Sequence, residues 1–329
     1  MVKYCIKRIL LSLLILFGVS VILYFLVRLM PDTYLYSLIG QQDPNPEEKL
    51  MQLKEYYGIA DNSFFGICGG YLDWVGKLFR GDLGHSIVEN QPVADVIFEN
   101  MGVSFAISLV SLILQLIIAI PLGIKCACNQ YGKLDYAITV LTMIGISFPS
   151  FFFGGIIIKT FAVDLGWFPV GGLIDPNLSK DASLWEQFTN MAYHLVLPMT
   201  VLVILSVGSL GRYTRTNTLE VLNADYIRTA RAKGLSENKV VYKHVFRNTL
   251  IPLVTTLAGI LPGLFGGAMI TEEIFAIPGI GQKAYQLLQK GDIPFIMGYN
   301  MFIAVLTVIG ILLTDIMYAV VDPRVKLGE

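Results

Sequence analysis

The stretch that decides the fold is MGVSFAISLVSLILQLIIAIPLGI, residues 101–124, a run of 24 residues without a charged side chain. A helix needs about 20 mainly apolar residues to cross the hydrocarbon core of a bilayer. Five further uncharged runs of similar size lie at residues 9–27, 136–158, 195–211, 249–271 and 293–314. With 54% hydrophobic and 15% charged residues, the sequence predicts an all-α membrane protein with six transmembrane helices.

The charges between the runs predict their direction. If the N-terminus is cytoplasmic, the segments on that side hold fifteen of the 24 Lys and Arg residues against seven of the 25 acidic residues. Cytoplasmic segments of membrane proteins are enriched in Lys and Arg. We therefore expect a multi-pass protein of the cell membrane (inner or plasma membrane) with both termini in the cytoplasm. The first run is too long for a signal peptide, and no small-residue cleavage site follows it, so it is expected to remain as a span.

These directions divide the chain into three parts. Residues 1–30 hold the N-terminus and the first span. Residues 31–100 form an extracytoplasmic loop, which is too long for a plain connection. Within it, Asn45-Pro46-Glu47-Glu48 and the aromatic pair Tyr71 and Trp74 predict short helices. Residues 101–329 form the core, with spans two to six and a cytoplasmic loop at 212–248.

The runs lack the groups that several functional classes need. None contains Asp, Glu, Lys or Arg, whereas an ion-coupled carrier usually places an ionisable group near mid-membrane. The chain has no HExxH, GxSxG or P-loop motif, its three histidines lie far apart, and its four cysteines form no CxxC pair. We expect no enzyme activity, no metal site and no cofactor bound by this chain. Energy for active transport would have to come from another subunit.

The most basic segment lies between the fourth and fifth runs. YIRTARAKGLSENKVVYKHVFRN, residues 226–248, carries six Lys or Arg and one Glu. The apolar spacing before Gly234 predicts a helix over 219–233, Gly234 suits the helix C-terminus, and Ser236 suits the start of a second helix. The apolar residues assigned to the inner faces are Leu219, Leu222, Tyr226, Ala230, Val241 and Val245. The segment thus predicts a helix, a glycine turn and a second helix at the cytoplasmic face.

A basic surface of this kind has three candidate partners. Anionic lipid headgroups attract Lys and Arg at the membrane surface. A nucleic acid fits poorly with a loop held against a membrane. A cytoplasmic protein would use the shape of the turn as well as its charge. Because charge alone suffices for membrane lipid, a tight turn between two helices favours the docking of a protein.

Five groups of motifs follow one another along the chain. They are GDLGHSIVENQPVADVI (81–97), SFPSFFFGG with LGWFPVGG (147–155 and 165–172), ADYIRTARAKGLSENKVVYKHVFRNTLIPL (224–253), EEIFAIPGIGQKAYQLLQKGDIP (272–294) and VDPRVKL (321–327). Together they resemble the permease subunits of ABC importers, in the branch for oligopeptides, dipeptides and nickel. The chain departs from that branch at MPDTY (30–34), where Pro-Gly-Asp-Pro is usual, and at Asn100-Met101-Gly102. Both departures lie at the outer entrance and bear on the substrate.

The resemblance implies a fold like that of type I ABC-importer permeases, together with a set of partners. A second, homologous permease would complete the translocation pathway, and an extracellular solute-binding protein would deliver substrate. Two P-loop ATPase subunits would bind ATP and Mg and receive a coupling helix of this chain. The residues at the coupling positions are Arg228, Thr229, Ala230, Arg231, Lys233, Gly234 and Leu235. Among them, Gly234 would allow the turn, Ala230 and Leu235 would pack in an ATPase cleft, and the cations would orient the element.

The remaining candidate residues belong to the pathway and to the outer surface. Small polar or helix-breaking residues expected along the pathway are Ser104, Ser108, Ser147, Pro149 and Asn300. Residues expected to seat the binding protein are Glu272, Glu273 and Asp292. An uncharged pathway suits oligopeptides or dipeptides, and nickel or a nickel chelate is the alternative within the branch. A channel or carrier that works without ATP is the alternative of a different class; the missing charges and the elaborate basic loop count against it.

Overall fold

Helices account for most of the chain in the computed structural model, which describes residues 2–29, 45–56, 60–61, 63–179 and 181–321. The helices are α1 Val2–Arg28, α2 Pro46–Tyr56, α3 Phe64–Phe79, α4 Val93–Cys128, α5 Lys133–Ser147, α6 Ser150–Ile157, α7 Leu184–Leu222, α8 Asp225–Ala232, α9 Glu237–Lys239, α10 Phe246–Gly266, α11 Met269–Ile274, α12 Ile280–Lys290 and α13 Ile293–Val321. The departure at 30–34 and most of the C-terminal motif, 322–327, lie outside the described residues.

Four helices in the described part of the chain are long and apolar enough to cross a membrane. They are Lys7–Arg28, Val93–Cys128, Leu184–Leu222 and Ile293–Asp315. They correspond to the first, second, fourth and sixth predicted runs. The helix of the second run begins at Val93, eight residues before the uncharged run itself.

The third predicted run is interrupted by a proline. Helix α5 ends at Ser147, Phe148 takes an extended conformation (φ −86°, ψ 128°), and α6 starts after Pro149. A residue before proline is driven out of the α region by the proline ring, which explains the break. Beyond Ile157 the helix widens into a π-helical segment, Ile158–Asp164.

The fifth predicted run ends earlier than expected. Helix α10 stops at Gly266, and Gly267 has a φ of +71°. Thr271, the predicted end of the span, belongs instead to the separate short helix α11 and is buried. The fifth run thus contains helix α10 and the start of a folded segment beyond it.

Helix α7 is much longer than the uncharged run inside it. It begins with a capping box in which Ser183 and Glu186 satisfy each other's backbone N–H groups, and it has 39 residues. At 1.5 Å per residue it is about 58 Å long, roughly twice the thickness of a hydrocarbon core. The charges at Arg212 and Arg215 therefore mark where the helix leaves the apolar layer, and the helix continues ten residues beyond Arg212 to Leu222.

Helices α4 and α5 pack along α7 at close range. A Cβ at Gly123 would lie 2.6 Å from the carbonyl oxygen of Gly211, so only glycine permits this approach. The start of α5 is tied to α7 by a paired interaction, in which the Nε and Nη2 atoms of Arg215 donate to the Asp135 carboxylate at 2.6 and 2.8 Å. Asp135 is buried, and the pair satisfies a charge that would otherwise be costly to bury.

Helices α1 and α13 pack side by side at the edge of this core. At one end Arg8 forms an ion pair with Asp315. At the other, Tyr24 and Val27 lie in an apolar cluster with Ile293 and Met297. Contacts at both ends fix the two helices in an antiparallel arrangement.

A small hairpin lies between α3 and α4, which corrects the all-α expectation at four residues. Strand β1, His85–Ser86, pairs antiparallel with β2, Gln91–Pro92. The buried carboxylate of Asp292 holds this hairpin: it accepts hydrogen bonds from the Ser86 hydroxyl and the Val88 N–H, and a further one from the Phe295 N–H at the start of α13. Asp292 therefore joins the hairpin to the last helix.

A second buried carboxylate organises the segment between α10 and α12. Glu272 accepts hydrogen bonds from the N–H groups of Ala268 at 2.9 Å and Gln282 at 3.1 Å. Ser104 of α4 accepts the N–H of Ile280 at 2.8 Å. A Cβ at Gly279 would lie 2.4 Å from both acceptor side chains. The segment folds around these groups because its unpaired N–H groups find acceptors there.

We expect Asp292→Asn to lower the thermal unfolding temperature of the purified protein by several degrees. The Asn amide would place an NH₂ group against groups that donate hydrogen bonds to the Asp292 carboxylate. Each buried donor left unpaired lowers the free energy of unfolding by about 1–3 kcal/mol. Glu273→Gln is the matched control, because Glu273 is only partly buried and accepts one long hydrogen bond, 3.5 Å from Gln286. Equal unfolding temperatures for the two variants would contradict a structural role for Asp292.

Candidate functional site

The glycine turn predicted between two helices is present. Helix α8 ends with hydrogen bonds from Lys233 N–H to Thr229 O (3.1 Å) and from Gly234 N–H to Arg231 O (2.9 Å). Gly234 has a φ of +74°, and a Cβ at this position would meet nothing within 4 Å. Glycine is therefore required by the backbone conformation and not by lack of space.

An ion pair closes the turn from one side to the other. The Nε of Arg231 lies 2.7 Å from Oε1 of Glu237, and Nη2 lies 3.4 Å from Oε2. Ser236 occupies the N-cap position with an extended backbone, but its side chain makes no capping hydrogen bond. The pair between Arg231 and Glu237, rather than the Ser236 cap, thus links the two helices.

An apolar cluster under the turn corrects one sequence expectation. Ile227, Ala230, Val240 and Val245 are buried together, and the partly buried Leu235 packs against them. Ala230 therefore packs within this chain and not in the cleft of a partner, whereas the contact expected for Leu235 stays a prediction. Ala230 is 6% exposed and offers almost no surface to another protein.

The predicted stripe was also wrong in its register. Helix α7 ends at Leu222, and α8 begins at Asp225, so the periodicity across 219–233 does not belong to one helix. Tyr226 is 48% exposed, whereas its neighbour Ile227 is fully buried. The two residues between the helices rotate the second helix relative to the first.

The turn exposes a basic surface. Arg228, with 73% of its side chain exposed, lies 3.6 Å from Asp225, and Thr229 is exposed with its hydroxyl donating to Asp225 O at 3.0 Å. Lys233 and Gly234 are exposed at the tip. Further exposed residues on the following helix are Lys239, Tyr242, Lys243 and Arg247. The surface combines cations with the rings of Tyr226 and Tyr242, which the sequence reasoning did not assign to it.

The segment after the turn forms one continuous helix. It begins as α9, widens into a π-helical segment at Val240–Val245, and continues as α10 without leaving the helical region. The end of the predicted basic loop, up to residue 248, and most of the fifth predicted run are therefore parts of one helical rod.

Cavities adjoin the helices that lead to the turn, and two of them bear on the candidate site. One of about 1050 Å³ lies at the turn itself, among the ends of α4 and α7 and the start of the rod, and is lined by Lys125, Asn129, Arg231, Glu237 and Tyr242 among others. The other, of about 480 Å³, lies between α4, α7 and α10. The polar residues that line this smaller cavity are Ser108, Ser111, Gln115, Ser206, Ser209 and Tyr213.

Of the predicted pathway residues, Ser108 lines the smaller cavity. Ser104 is fully buried and accepts the N–H of Ile280, so it is a structural group and not a lining group. Ser147, Pro149 and Asn300 are exposed and lie outside both cavities. Ser111 and Gln115 also line this cavity but were not predicted. The sequence contains a signal for them, because Ser104, Ser108, Ser111 and Gln115 follow the spacing of one helix face.

Two of the three predicted docking residues are inaccessible. Glu272 is 1% exposed and Asp292 is fully buried. Both carboxylates accept backbone N–H groups inside the chain, so they cannot contact a partner. Glu273 is partly exposed and remains a candidate. Among the described residues, no three His, Cys, Asp or Glu side chains lie close enough together to hold a metal ion.

Comparison with known proteins gives consistent matches along the chain. Residues 119–327 match the model of the family described as binding-protein-dependent transport system inner membrane component. The oligopeptide transport system permease protein AppB of Bacillus subtilis is 38% identical over 99% of this chain and 100% of its own length. The dipeptide transport system permease proteins DppB of Bacillus subtilis and Lactococcus lactis are 32% and 35% identical, over 100% and 99% of this chain and over 99% and 100% of their own lengths.

The family model covers well over half of the chain, and the relatives cover nearly all of it. With its long apolar helices, the protein is a multi-pass membrane protein. The chain belongs to the family of inner membrane components of binding-protein-dependent transport systems.

Proposed function

We propose that this chain is a permease subunit of an ATP-driven ABC importer for oligopeptides or dipeptides, and that it forms the translocation pathway with a second, homologous permease. One observation carries the proposal: the chain on both sides of the exposed Gly234 turn leads to a wall of the smaller cavity, through α8 to α7 on one side and along the rod to α10 on the other. The relatives named for oligopeptide and dipeptide transport support peptides over nickel as the substrate.

In the proposed topology the chain crosses the membrane six times, with both termini and the Gly234 turn in the cytoplasm. The broken pair α5 and α6 provides the third crossing and α10, with 21 residues, the fifth. The balance of charge supports the orientation, because the exposed basic surface at the turn lies on the side that is rich in Lys and Arg.

The coupling mechanism follows from the way the chain joins the turn to the two cavity walls. The partner ATPases bind ATP and Mg and close on each other, and the Gly234 turn, seated on one of them, moves with it. The pair between Arg231 and Glu237 and the cluster below make the turn stiff. Ser206, Ser209 and Tyr213 lie on α7 before the turn, and Ile260, Gly263 and Leu264 lie on the rod after it. A displacement of the turn therefore moves both walls together and changes the cavity between two states.

The lining of the smaller cavity fits an uncharged pathway. Hydroxyl groups and one amide line it, and the Gln115 side chain donates to the Ser111 hydroxyl at 2.8 Å and to Leu202 O at 3.4 Å. Such groups can hydrogen-bond a peptide backbone without selecting its side chains, which leaves selection to the solute-binding protein. Glu273 and the exposed end of α12 are the proposed seat of that protein.

The first test is purification of the tagged chain in mild detergent from its host, followed by mass spectrometry. We expect recovery of a second permease, two ATPase polypeptides or two copies of one, and binding protein when peptide is present. A variant with Arg228→Glu and Lys233→Glu should lose the ATPases but keep the second permease. Recovery of the chain alone, under conditions that preserve other membrane complexes, would overturn the proposal and return the basic surface to a contact with lipid.

Substitution of Gly234 tests the turn itself. A left-handed conformation costs a non-glycine residue about 1–2 kcal/mol, and about 1.4 kcal/mol is a tenfold change in a population. We expect Gly234→Val to reduce peptide uptake about tenfold or more in proteoliposomes, with ATP hydrolysis continuing. Gly234→Asn is the control, because Asn tolerates this region and no neighbour blocks its side chain. Normal uptake by the valine variant would reject the role of the turn.

Charge exchange tests the ion pair that closes the turn. Arg231→Glu and Glu237→Arg each place like charges together, and we expect each to reduce the uptake that accompanies ATP hydrolysis. The double exchange restores opposite charges and should recover most of the uptake. Thermal stability should change little in all three proteins, because exposed ion pairs contribute little to stability. Failure of the double variant to recover would show that Arg231 acts through a partner protein rather than through Glu237.

A further inference from the structure

Helix α3 is unusually apolar for a segment of a predicted aqueous loop. Its sequence is FFGICGGYLDWVGKLF, and its charged residues, Asp73 and Lys77, lie 3.0 Å apart. Helix α2 of the same loop contains Glu47, Glu48, Lys54 and Glu55 among its eleven residues. The two helices therefore suit different surroundings, although fewer than ten residues separate them.

Helix α3 packs on the side of the spanning helix α1. The hydroxyl of Tyr71 lies 2.7 Å from that of Ser20. The Tyr71 ring meets the Phe17 ring edge-on at 6.2 Å, and Trp74 stacks on Tyr24 at 6.0 Å between centroids. These contacts fix the height of α3 along α1.

That height lies inside the apolar layer. The uncharged part of α1 runs from residue 9 to residue 27, and it needs nearly all of that length to cross a core of about 30 Å. Ser20 is seven residues before the end of this run, which is about 10 Å along the axis. Tyr71 therefore reaches about 10 Å below the boundary, in the leaflet at the Arg28 end of α1.

The face of α3 that points away from α1 is exposed and apolar. Phe65 is 86% exposed and Leu72 is 67% exposed, and Cys68, between them at helical spacing, is exposed too. Phe79 lies on the same face two helical turns after Leu72 and is 86% exposed. Within the described part of the chain, nothing covers these side chains.

We infer that α3 lies in the bilayer as an interfacial helix, with the acyl chains of that leaflet covering Phe65, Cys68, Leu72 and Phe79. Helices of this type sit about 5–10 Å into the boundary between headgroups and acyl chains, the depth that the contacts with α1 require. The paired Asp73 and Lys77 would meet the headgroups. In the proposed orientation this is the outer leaflet, so part of the long outer loop is a membrane element.

The position of the exposed face of α3 indicates that lipid, and not a partner protein, covers it. The exposed face is continuous with α1, whose own apolar side chains are exposed in the same layer: Leu14 is 64% and Ile22 is 60% exposed. At that depth a helix without a covering subunit meets hydrocarbon. A second permease over α3 is the competing arrangement, and the test distinguishes it.

The test uses Cys68 as a natural reporter on the exposed face. A chain with Cys5→Ser, Cys126→Ala and Cys128→Ala, assembled with its partners in proteoliposomes, carries a nitroxide label at Cys68 alone. We expect its collision rate with oxygen to exceed that with a water-soluble nickel complex several-fold. A matched chain that also carries Cys68→Ser and Glu55→Cys, labelled on α2, should show the reverse ratio.

Two results would overturn the inference. Ready collision of the Cys68 label with the nickel complex would place α3 in water. Low collision rates with both reagents would place it under a protein partner. A second labelled position, Leu72→Cys in the Cys68→Ser chain, repeats the measurement one turn along, so that a local disturbance at either site is recognised. Neither result depends on whether the complex transports peptides.

Discussion

The fold beyond the spanning helices depends on a buried carboxylate, that of Glu272. A helix that begins inside or near the apolar layer leaves its first N–H groups without acceptors, and water cannot supply them there. Glu272 accepts two such groups where the chain leaves α10 and starts α12. Asp292 does the same between the hairpin and α13. The acidic residues of this region therefore hold together the segment that follows α10 and the hairpin that precedes α4.

The Gly234 turn is held together by different interactions. No buried charge holds the Gly234 turn; an apolar cluster and an exposed ion pair do. Such a unit is stiff within itself, and the continuous helix that starts at Glu237 joins it to α10. In the proposed orientation, a stiff turn joined to a cavity wall suits a transporter that is driven from the cytoplasm.

The sequence predicted what depends on local chemistry. Apolar runs gave the positions of the spanning helices, and Gly234 gave the turn, because a left-handed residue is a local requirement. What depends on neighbours was not predictable. Ala230 looks like a contact residue in sequence, but it is buried in one cluster with Val240 and Val245. Glu272 and Asp292 resemble surface acids until the N–H groups around them are known. The length of α7 was missed because the arginines that end the uncharged run do not end the helix.

The π-helical segment Val240–Val245 has a consequence for the geometry of the rod. In an α-helix residues five apart point about 140° away from each other, yet Val240 and Val245 are both buried in one cluster. The wider turn, with its i→i+5 bonding, brings them to the same side by accommodating one extra residue. This extra residue sets how far the cavity-lining face of α10 is rotated about the helix axis relative to the basic surface. Loss of one residue from this segment would leave α9 and α10 intact but would rotate one about the common axis relative to the other. The rotation between them is therefore encoded in the length of the chain as well as in its side chains.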